Sequence, residues 1–301
     1  CLYLSPFLVF TPLFLEREDF RKVRPFVFFI FLGLFFYIIL FDFSEGALDR
    51  YFQFLVLPLS VIAGVVCSRN FVFNKKYFLP PVVIGVTVYL LQFFNHYVPS
   101  LHPKSEWIGR ILSLKWNFLY PFSGGSGPLG FYISFAFMGL LWIVSFILVA
   151  QKFINKKSDR AMIAGLIVFG IFYNTVFVQE YLFGFINGYA PKLVRDAVVF
   201  IKDNGDIKRV VVYNDNGGDE VKKTGKYEKR LYTSPQFDTL QKIKTINDFS
   251  GHYLEVNVPP IDPNSFYRKY LDSCKIIYEE KDKYMYARIY DCRGLIIKNE
   301  R

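Results

Sequence analysis

Apolar positions along this 301-residue chain follow two different rules. As far as residue 186 they form six long runs, 2–15, 26–41, 51–67, 77–94, 131–153 and 161–186, almost without charge. From 187 onward they recur at helix or strand spacing among mixed charges. A bilayer core of about 30 Å takes about 17–25 helical residues, so the runs predict a polytopic α-helical membrane domain of about six helices over 1–186. Several runs lie near the lower limit, and flanking Tyr, Trp, Lys and Arg extend them into the headgroup zone. Pro6, Pro12, Pro58, Pro80 and Pro81 lie inside or at the ends of runs, which is tolerable where neighbouring helices satisfy the freed carbonyls.

The second rule predicts a small soluble α/β domain over 187–301. Residues 191–203 read as an amphipathic helix, with Leu193, Val194, Ala197, Val198 and Ile201 on one face and Pro191 in the first turn. Strands are expected at 209–213, 228–232 and 253–258, the last stopped by Pro259-Pro260, with a turn over 214–218. Helices are expected at 234–246, started by Ser234-Pro235, and at 263–271, and the chain closes on a hairpin. Strands alternating with helices imply a small, partly parallel sheet.

The linkers orient the runs. Arg17, Arg21, Lys22 and Arg24 follow the first run, Arg69, Lys75 and Lys76 the third, and Lys156, Lys157 and Arg160 the fifth. The positive-inside rule puts these linkers in the cytoplasm. Segment 42–50, the long loop 95–130 and the tail then face outward, which makes the expected location a multi-pass cell membrane protein with an extracytoplasmic C-terminal domain. The net charge of +10 is spread over loops. It forms no basic stripe and no recognition module, so nucleic acid is not an expected partner. The chain begins at Cys1 inside an apolar run without Met or a basic flank, and is read as the C-terminal part of a longer protein. A signal peptide is not expected, because 2–15 has no positive n-region and is followed by Glu16-Arg17-Glu18-Asp19.

Cysteines test the compartment. Cys1 and Cys67 lie in or beside runs and read as small apolar groups. Cys274 and Cys292 flank the final hairpin, each nine positions from Lys283. A three-residue turn at Asp282-Lys283-Tyr284 pairs Lys281 with Met285, Ile277 with Ile289 and finally Cys274 with Cys292. Opposed strand residues meet disulfide geometry, and an outward domain is oxidised, so a Cys274–Cys292 bridge is expected.

Candidate chemistry is concentrated in two places. Arg50, at the outer end of a run and followed by Tyr51, sits where a lipid phosphate sits, and its planar fork suits phosphate; an interfacial anchor that only sets helix depth is the competing reading. The long loop carries His96, His102, Lys104, Glu106, Trp107, Arg110 and Trp116 before a Gly/Ser-rich hinge at 123–128. Aromatic faces stack on sugars and the charged groups bind hydroxyls or phosphate, so these residues form a candidate substrate loop. Residues 107–119 also read as a helix lying in the membrane interface. Two histidines without a third ligand do not make a metal site, and none is assigned. GGDEVKKTGK at 217–226 fails as a phosphate loop on glycine–lysine spacing and on Tyr227 in the Ser/Thr position. Glu180 lies near the outer end of the sixth run and reads as snorkelling to the headgroups.

The stretch Arg50–Gly64, of the form RYxxxLxLPLSxIAG, resembles the late transmembrane region of bacterial integral-membrane glycosyltransferases. These are GT-C superfamily members of the dolichyl-phosphate-mannose-protein mannosyltransferase and aminoarabinose transferase type. The likeness covers most of the chain in layout but only Arg50–Gly64 in motif. It implies sugar transfer from a polyprenyl-phosphate carrier, the donor partner, to a protein or glycolipid acceptor on the outer face of the membrane, with Arg50 and Tyr51 near the carrier phosphate. The family's catalytic acids lie in a first outward loop that matches nothing here, so no catalytic residue is assigned and the piece alone is expected to be inactive. No cofactor is identified; the resemblance leaves a divalent cation to residues upstream of Cys1. Two other readings stay open: a transporter or flippase of lipid-linked sugars, and a non-enzymatic membrane anchor for an extracytoplasmic interaction domain.

Overall fold

The computed structural model describes residues 4–40, 53–71, 73–94, 97–100, 104–114, 116–120, 129–155, 159–231, 246 and 249–295. The chain divides into two compact units, one made of Cys1–Leu91 with Phe137–Phe177, the other of Gln92–Ala136 with Val178–Arg301. Division by packing thus differs in kind from a single cut at 186/187. The long loop belongs to the unit that carries the tail, as does the last turn and a half of the final long helix.

The first unit is helical. Pro6–Phe10 (α1) starts at Ser5, whose Oγ accepts from Leu8 N, and passes into a 3-10 turn at Thr11–Phe14. Within the run 2–15, expected as a span, the described residues 4–15 therefore make only a short broken helix: Pro12 lacks the N–H that an α-helix needs there. The long helices are Arg17–Leu40 (α2), Val56–Asn70 (α3), Lys75–Leu90 (α4), Phe135–Asn155 (α5, whose first two residues fall in the second unit) and Asp159–Phe183 (α6). Among the described residues five stretches, against the six expected runs, are long and apolar enough to cross a membrane: Arg17–Ile39, Gln53–Asn70, Lys75–Phe94, Phe135–Ile154 and Asp159–Phe183. Such a chain is compatible with a multi-pass membrane protein. Helix α2 runs back through the first basic linker, with Pro25 accommodated inside it.

Contacts inside this unit are made by small side chains and a few ion pairs. Phe14, Val66, Val149, Met162, Ile163 and Leu166 form its core. Gly85 admits the Phe172 ring and Gly165 admits Leu148, and a methyl at either would overlap them. Such close approach is how helices associate where apolar burial alone gives no drive. Arg69, expected as a topogenic charge, is engaged by Asp19 and, at 2.9 Å, by Glu16, and donates to Phe14 O at 3.2 Å.

The second unit is an α/β layer structure. A five-stranded sheet is built from Val210–Tyr213 (β3), Tyr227–Leu231 (β4), His252–Val256 (β5), Lys275–Asp282 (β6) and Met285–Asp291 (β7), in the order β4-β3-β5-β7-β6. Strand β3 is parallel to β4 and β5, while β7 is antiparallel to both β5 and β6. Period-two alternation gives the sheet two buried faces. Val210, Val212, Leu254, Val256, Ala287 and Ile289 pack under the amphipathic helix Ala190–Asp203 (α8) through Leu193, Val194, Ala197 and Ile201. Val211, Tyr213, Tyr253 and Tyr290 pack under the helix Phe266–Asp272 (α10) through Tyr267, Tyr270 and Leu271. Helix α10 starts later than expected, at the Ser265 cap, whose Oγ accepts from Arg268 N. The expected helix at 234–246 lies outside the described residues, apart from Ile246.

The hairpin corrects one expectation. Its turn has two residues, Lys283 and Tyr284, with Lys283 left-handed (φ 56°), so Asp282 rather than Lys281 faces Met285, and Tyr278 rather than Ile277 faces Ile289. A register shift between Ile276 and Tyr278 then returns the ladder to Ile276–Tyr290 and Lys275–Asp291. One step further on, Cys274 and Cys292 are joined, with Cα atoms 4.8 Å apart. A bulge thus absorbs the one-residue difference in the turn.

The described parts of the long loop also hold more regular structure than expected. A 3-10 turn, Lys104–Glu106, leads into the helix Trp107–Ser113 (α7), which ends at left-handed Leu114. Residues 117–119, expected to continue that helix, instead begin the strand Asn117–Tyr120 (β1), antiparallel to Phe131–Ser134 (β2). Asn117-Phe118-Leu119-Tyr120 is aromatic-rich and suits a pleated surface better than a helix. Gly218–Lys223 (α9) follows β3.

Candidate functional site

Three buried polar arrangements lie wholly within the second unit. The first surrounds a crevice of about 660 Å³ at the C-terminal end of β3. Residues Asn214, Asp215, Asn216 and Gly217 make the turn between β3 and α9, with left-handed φ of 51°, 58° and 82° at Asn214, Asp215 and Gly217. Two adjacent non-glycine residues in that region are strained and persist only where surroundings over-determine them. The surroundings do so. Asn214 N donates to Leu231 O at 2.8 Å, Gly218 N donates to Asp215 O at 3.0 Å, and Asn216 Nδ2 donates to Val258 O.

The turn delivers Asp215. This residue is buried and lines the crevice. Its Oδ1 accepts from the Tyr227 hydroxyl at 3.2 Å. Burial, and then the Asp215 carboxylate, push the Tyr227 phenol above its ordinary range, so it stays a donor. The carboxylate rests against the bare Cα of Gly218, where a methyl would collide with Oδ1. Its Oδ2 receives no hydrogen bond among the described residues and lies 3.9 Å from the Arg230 guanidinium. Arg195 of α8 also lines the crevice, is exposed and forms no ion pair among the described residues. Asp219 and Glu220 at the rim are engaged by Lys222 (3.0 Å) and Lys223 (2.6 Å). Phe131 and Tyr181 supply an aromatic wall, with centroids 5.6 Å apart and edge to face.

The second arrangement holds the end of α6. Glu180 is buried rather than snorkelling: Ile186 N donates to Oε1 at 2.7 Å, and Asn187 donates to Oε2 through N at 3.2 Å and Nδ2 at 3.1 Å. Asn187 Nδ2 also reaches Tyr132 O, and Asn117 Nδ2 donates to Asn187 Oδ1 at 2.8 Å. Lys283 Nζ donates to Gly184 O at 2.8 Å and to Phe185 O. This knot ties the helix end, the β1–β2 ribbon and the hairpin turn together.

The third is an ionic cluster on the α10 side of the sheet. Glu255 is fully buried on β5 and accepts from Arg268 Nη1 at 2.9 and 3.1 Å, from Tyr290 at 2.7 Å and from Tyr286 at 3.1 Å. Burial alone lowers the Arg268 pKa, but Glu255, Tyr290 and Asp272 outweigh it and leave the guanidinium more firmly protonated than usual. Burial, and then the Glu255 charge, push Tyr290 up to about 12. These four side chains satisfy one another, which makes the cluster's work structural.

Of the residues singled out in the sequence, Arg50, Tyr51, His96 and His102 lie outside the described residues. Lys104 and Trp107 are placed in backbone only, at the start of the 3-10 turn and of the helix that follows it. Glu106 and Arg110 pair with each other at 2.6 Å. Trp116 stacks on Phe135 at 4.6 Å and 14°, so that ring face packs against protein. Cys274 and Cys292 form the bridge described above. Among the described residues no group of three His, Cys, Asp or Glu side chains is set to hold a metal ion. Asp215 and Arg195 escaped sequence reasoning. The signal for Asp215 was the Asn-Asp-Asn-Gly-Gly run straight after a three-valine strand, read only as a turn. Chemically, the crevice offers a buried hydrogen-bond acceptor, an exposed guanidinium and an aromatic wall. No protein-family model, curated protein or solved structure matches this chain.

Proposed function

We propose that the chain spans a membrane and serves the transfer of a sugar from a polyprenyl-phosphate carrier to an acceptor on the non-cytoplasmic face. One observation carries this reading. The crevice is lined on one wall by Glu180, Tyr181 and Leu182, in the last turn of a candidate span, and on the other by the turn at the C-terminal end of β3. Open α/β sheets bind ligands at the C-terminal ends of their strands. A crevice built from such an end and from the tip of a span suits a molecule with a polar head and a lipid tail. Asp215 accepts from hydroxyls, Arg195 meets a phosphate or another anion, and the aromatic wall covers an apolar ring face. The Arg50-Tyr51 motif supports the same reading from the carrier side. The charge of linkers 17–24, 69–76 and 156–160 supports the sidedness. No residue of this chain is assigned as catalytic base or nucleophile.

The test uses the full chain in lipid nanodiscs with radiolabelled polyprenyl phosphate, the leaving group itself. Saturable binding is expected, weakened about 10- to 100-fold by Arg50→Ala and largely kept by Arg50→Lys, the range set by charge-assisted hydrogen bonds of about 1.5–3 kcal/mol. Binding no greater than to empty nanodiscs, or equal in all three proteins, rejects the carrier and leaves the membrane-anchor reading. A tag after Arg301 that labels only from the cytoplasm rejects the sidedness.

A further inference from the structure

The helix Trp107–Ser113 carries its amphipathicity inside out. Its charged side is turned to protein: Arg110 donates to Ser100 O at 2.8 Å and to Glu106 at 2.6 Å, and its side chain is only 11% exposed. Its aliphatic side is turned away. Ile108, Ile111 and Leu112, at positions i, i+3 and i+4, form one stripe and are 73%, 46% and 78% exposed. Water does not favour that arrangement, since burying each such side chain is worth roughly 1.5–3 kcal/mol.

Chain connectivity says what covers the stripe. Tyr97 O accepts from Asn117 N at 3.0 Å, so the segment bearing the helix closes on itself at Tyr97. Tyr97 is three residues past Phe94, the last residue of the candidate span Lys75–Phe94, which is at most about 11 Å of chain. The segment returns through β1 and β2 to Phe135, the first residue of the next candidate span. A helix between two span ends this close lies at the membrane surface. Phe93, Phe94 and Tyr97 at its root are exposed as well, and aromatic residues favour the headgroup level. A stable protein interface needs about 800 Å² per partner, more than a seven-residue helix offers, whereas a bilayer sets no such threshold.

We infer that this helix is a membrane-docking element, which lays Ile108, Ile111 and Leu112 into the headgroup–acyl boundary of the bilayer. Through Trp116 on Phe135 and Asn117 on Asn187 it is fastened to the β1–β2 ribbon and to the Glu180 knot. The bilayer surface and the Phe131 wall of the crevice therefore share one support. The inference needs Lys75–Phe94 to cross a bilayer, but it does not depend on sugar transfer.

The test is depth-dependent fluorescence quenching on the full chain in nanodiscs, with Cys1→Ser and Cys67→Ser removing the two cysteines outside the disulfide. An environment-sensitive dye is placed on Leu112→Cys or on Ser113→Cys, both at exposed positions. The Leu112→Cys dye is expected to emit to the blue of the other and to be quenched several-fold more by lipids spin-labelled near the headgroup. A water-like spectrum at Leu112→Cys, with iodide quenching equal to that at Ser113→Cys, overturns the inference. Shielding from iodide without any quenching by lipid also overturns it and assigns the face to a protein. Ile108→Lys with Leu112→Lys gives a second reading: the dye at Ser113→Cys is expected to gain access to iodide, while the Cys274–Cys292 bridge reports that the fold persists.

Discussion

The two units use similar apolar side chains for opposite purposes. In α2 only 6% of the most apolar window is buried, and Phe31, Leu32, Phe35, Ile38 and Ile39 point outward. In β3 and β5 of the second unit every residue is buried, Glu255 and His252 included. A helix satisfies its own backbone and keeps its apolar surface when the solvent is lipid. A sheet in water satisfies its backbone through neighbours and covers both faces with helices. The helix ladder and glycine contacts therefore hold the first unit. A bridge, an ion pair and hydrogen-bonded knots hold the second.

The comparison breaks most visibly at Glu255. Glu255→Ala leaves Arg268 with only the exposed Asp272 carboxylate and the Tyr290 hydroxyl and is expected to cost the second unit about 3 kcal/mol or more, read by pulse proteolysis of the full chain in nanodiscs. Membrane extraction of the first unit should not change. Reduction of Cys274–Cys292, which are 18 positions apart, is expected to cost about 3 kcal/mol on the loop-entropy scale, again in the second unit alone; equal loss in both units would mean that they unfold together. A matched pair of substitutions sharpens the contrast. Phe35→Asp, at a residue 63% exposed, is expected to lower insertion of α2 by about 2.5–3.5 kcal/mol, measured as the glycosylation-tagged fraction inserted. Ile276→Asp, at a residue 44% exposed in the second unit, is expected to shift stability by no more than about 1 kcal/mol. If Phe35→Asp proves equally harmless, the exposed face of α2 does not meet lipid.

The legible features were those fixed by local pattern. Helix α8 was readable from its i, i+3, i+4 stripe and Pro191, and β3 from Val210-Val211-Val212. The pairing of Cys274 with Cys292 is reached from the sequence through a register one residue off, and holds because the bulge between Ile276 and Tyr278 takes up the difference. What was not legible depended on tertiary partners. The six-residue α9 contains a glycine at its first position and no apolar stripe, and it forms because the strained turn before it is clamped to Leu231 and Val258. The bulge beside Ile277 leaves no mark in composition. Glu180 gave no sign of burial, because its donors are backbone groups of Ile186 and Asn187, six and seven residues later. Asp215 was hidden by the same cause: a turn motif explains Asn-Asp-Asn-Gly-Gly without asking where the carboxylate goes.

The smallest expected effect is a pH dependence confined to the second unit. The three histidines, His96, His102 and His252, all fall in its segments. His252 is buried on β5, with Nε2 3.9 Å from Asp291. Burial holds its imidazole below the ordinary 6.5, Asp291 and Asp206 oppose that shift, and Arg293 adds to it. The folded state then binds fewer protons than the unfolded chain, so stability rises with pH in this window and falls on acidification below about pH 6.5. Asp291 acts in a separate window. Arg293 holds its carboxyl at about 2, so its contribution is present above the unfolded value of 3.8 and is lost only as pH falls toward 2. Between pH 8 and 5 the slope therefore reports histidine and not Asp291. Denaturant midpoints of the second unit are expected to decline across that range and to flatten in His252→Gln, while insertion of the first unit stays level. A slope unchanged in His252→Gln would move the titration to other groups and remove this distinction between the units.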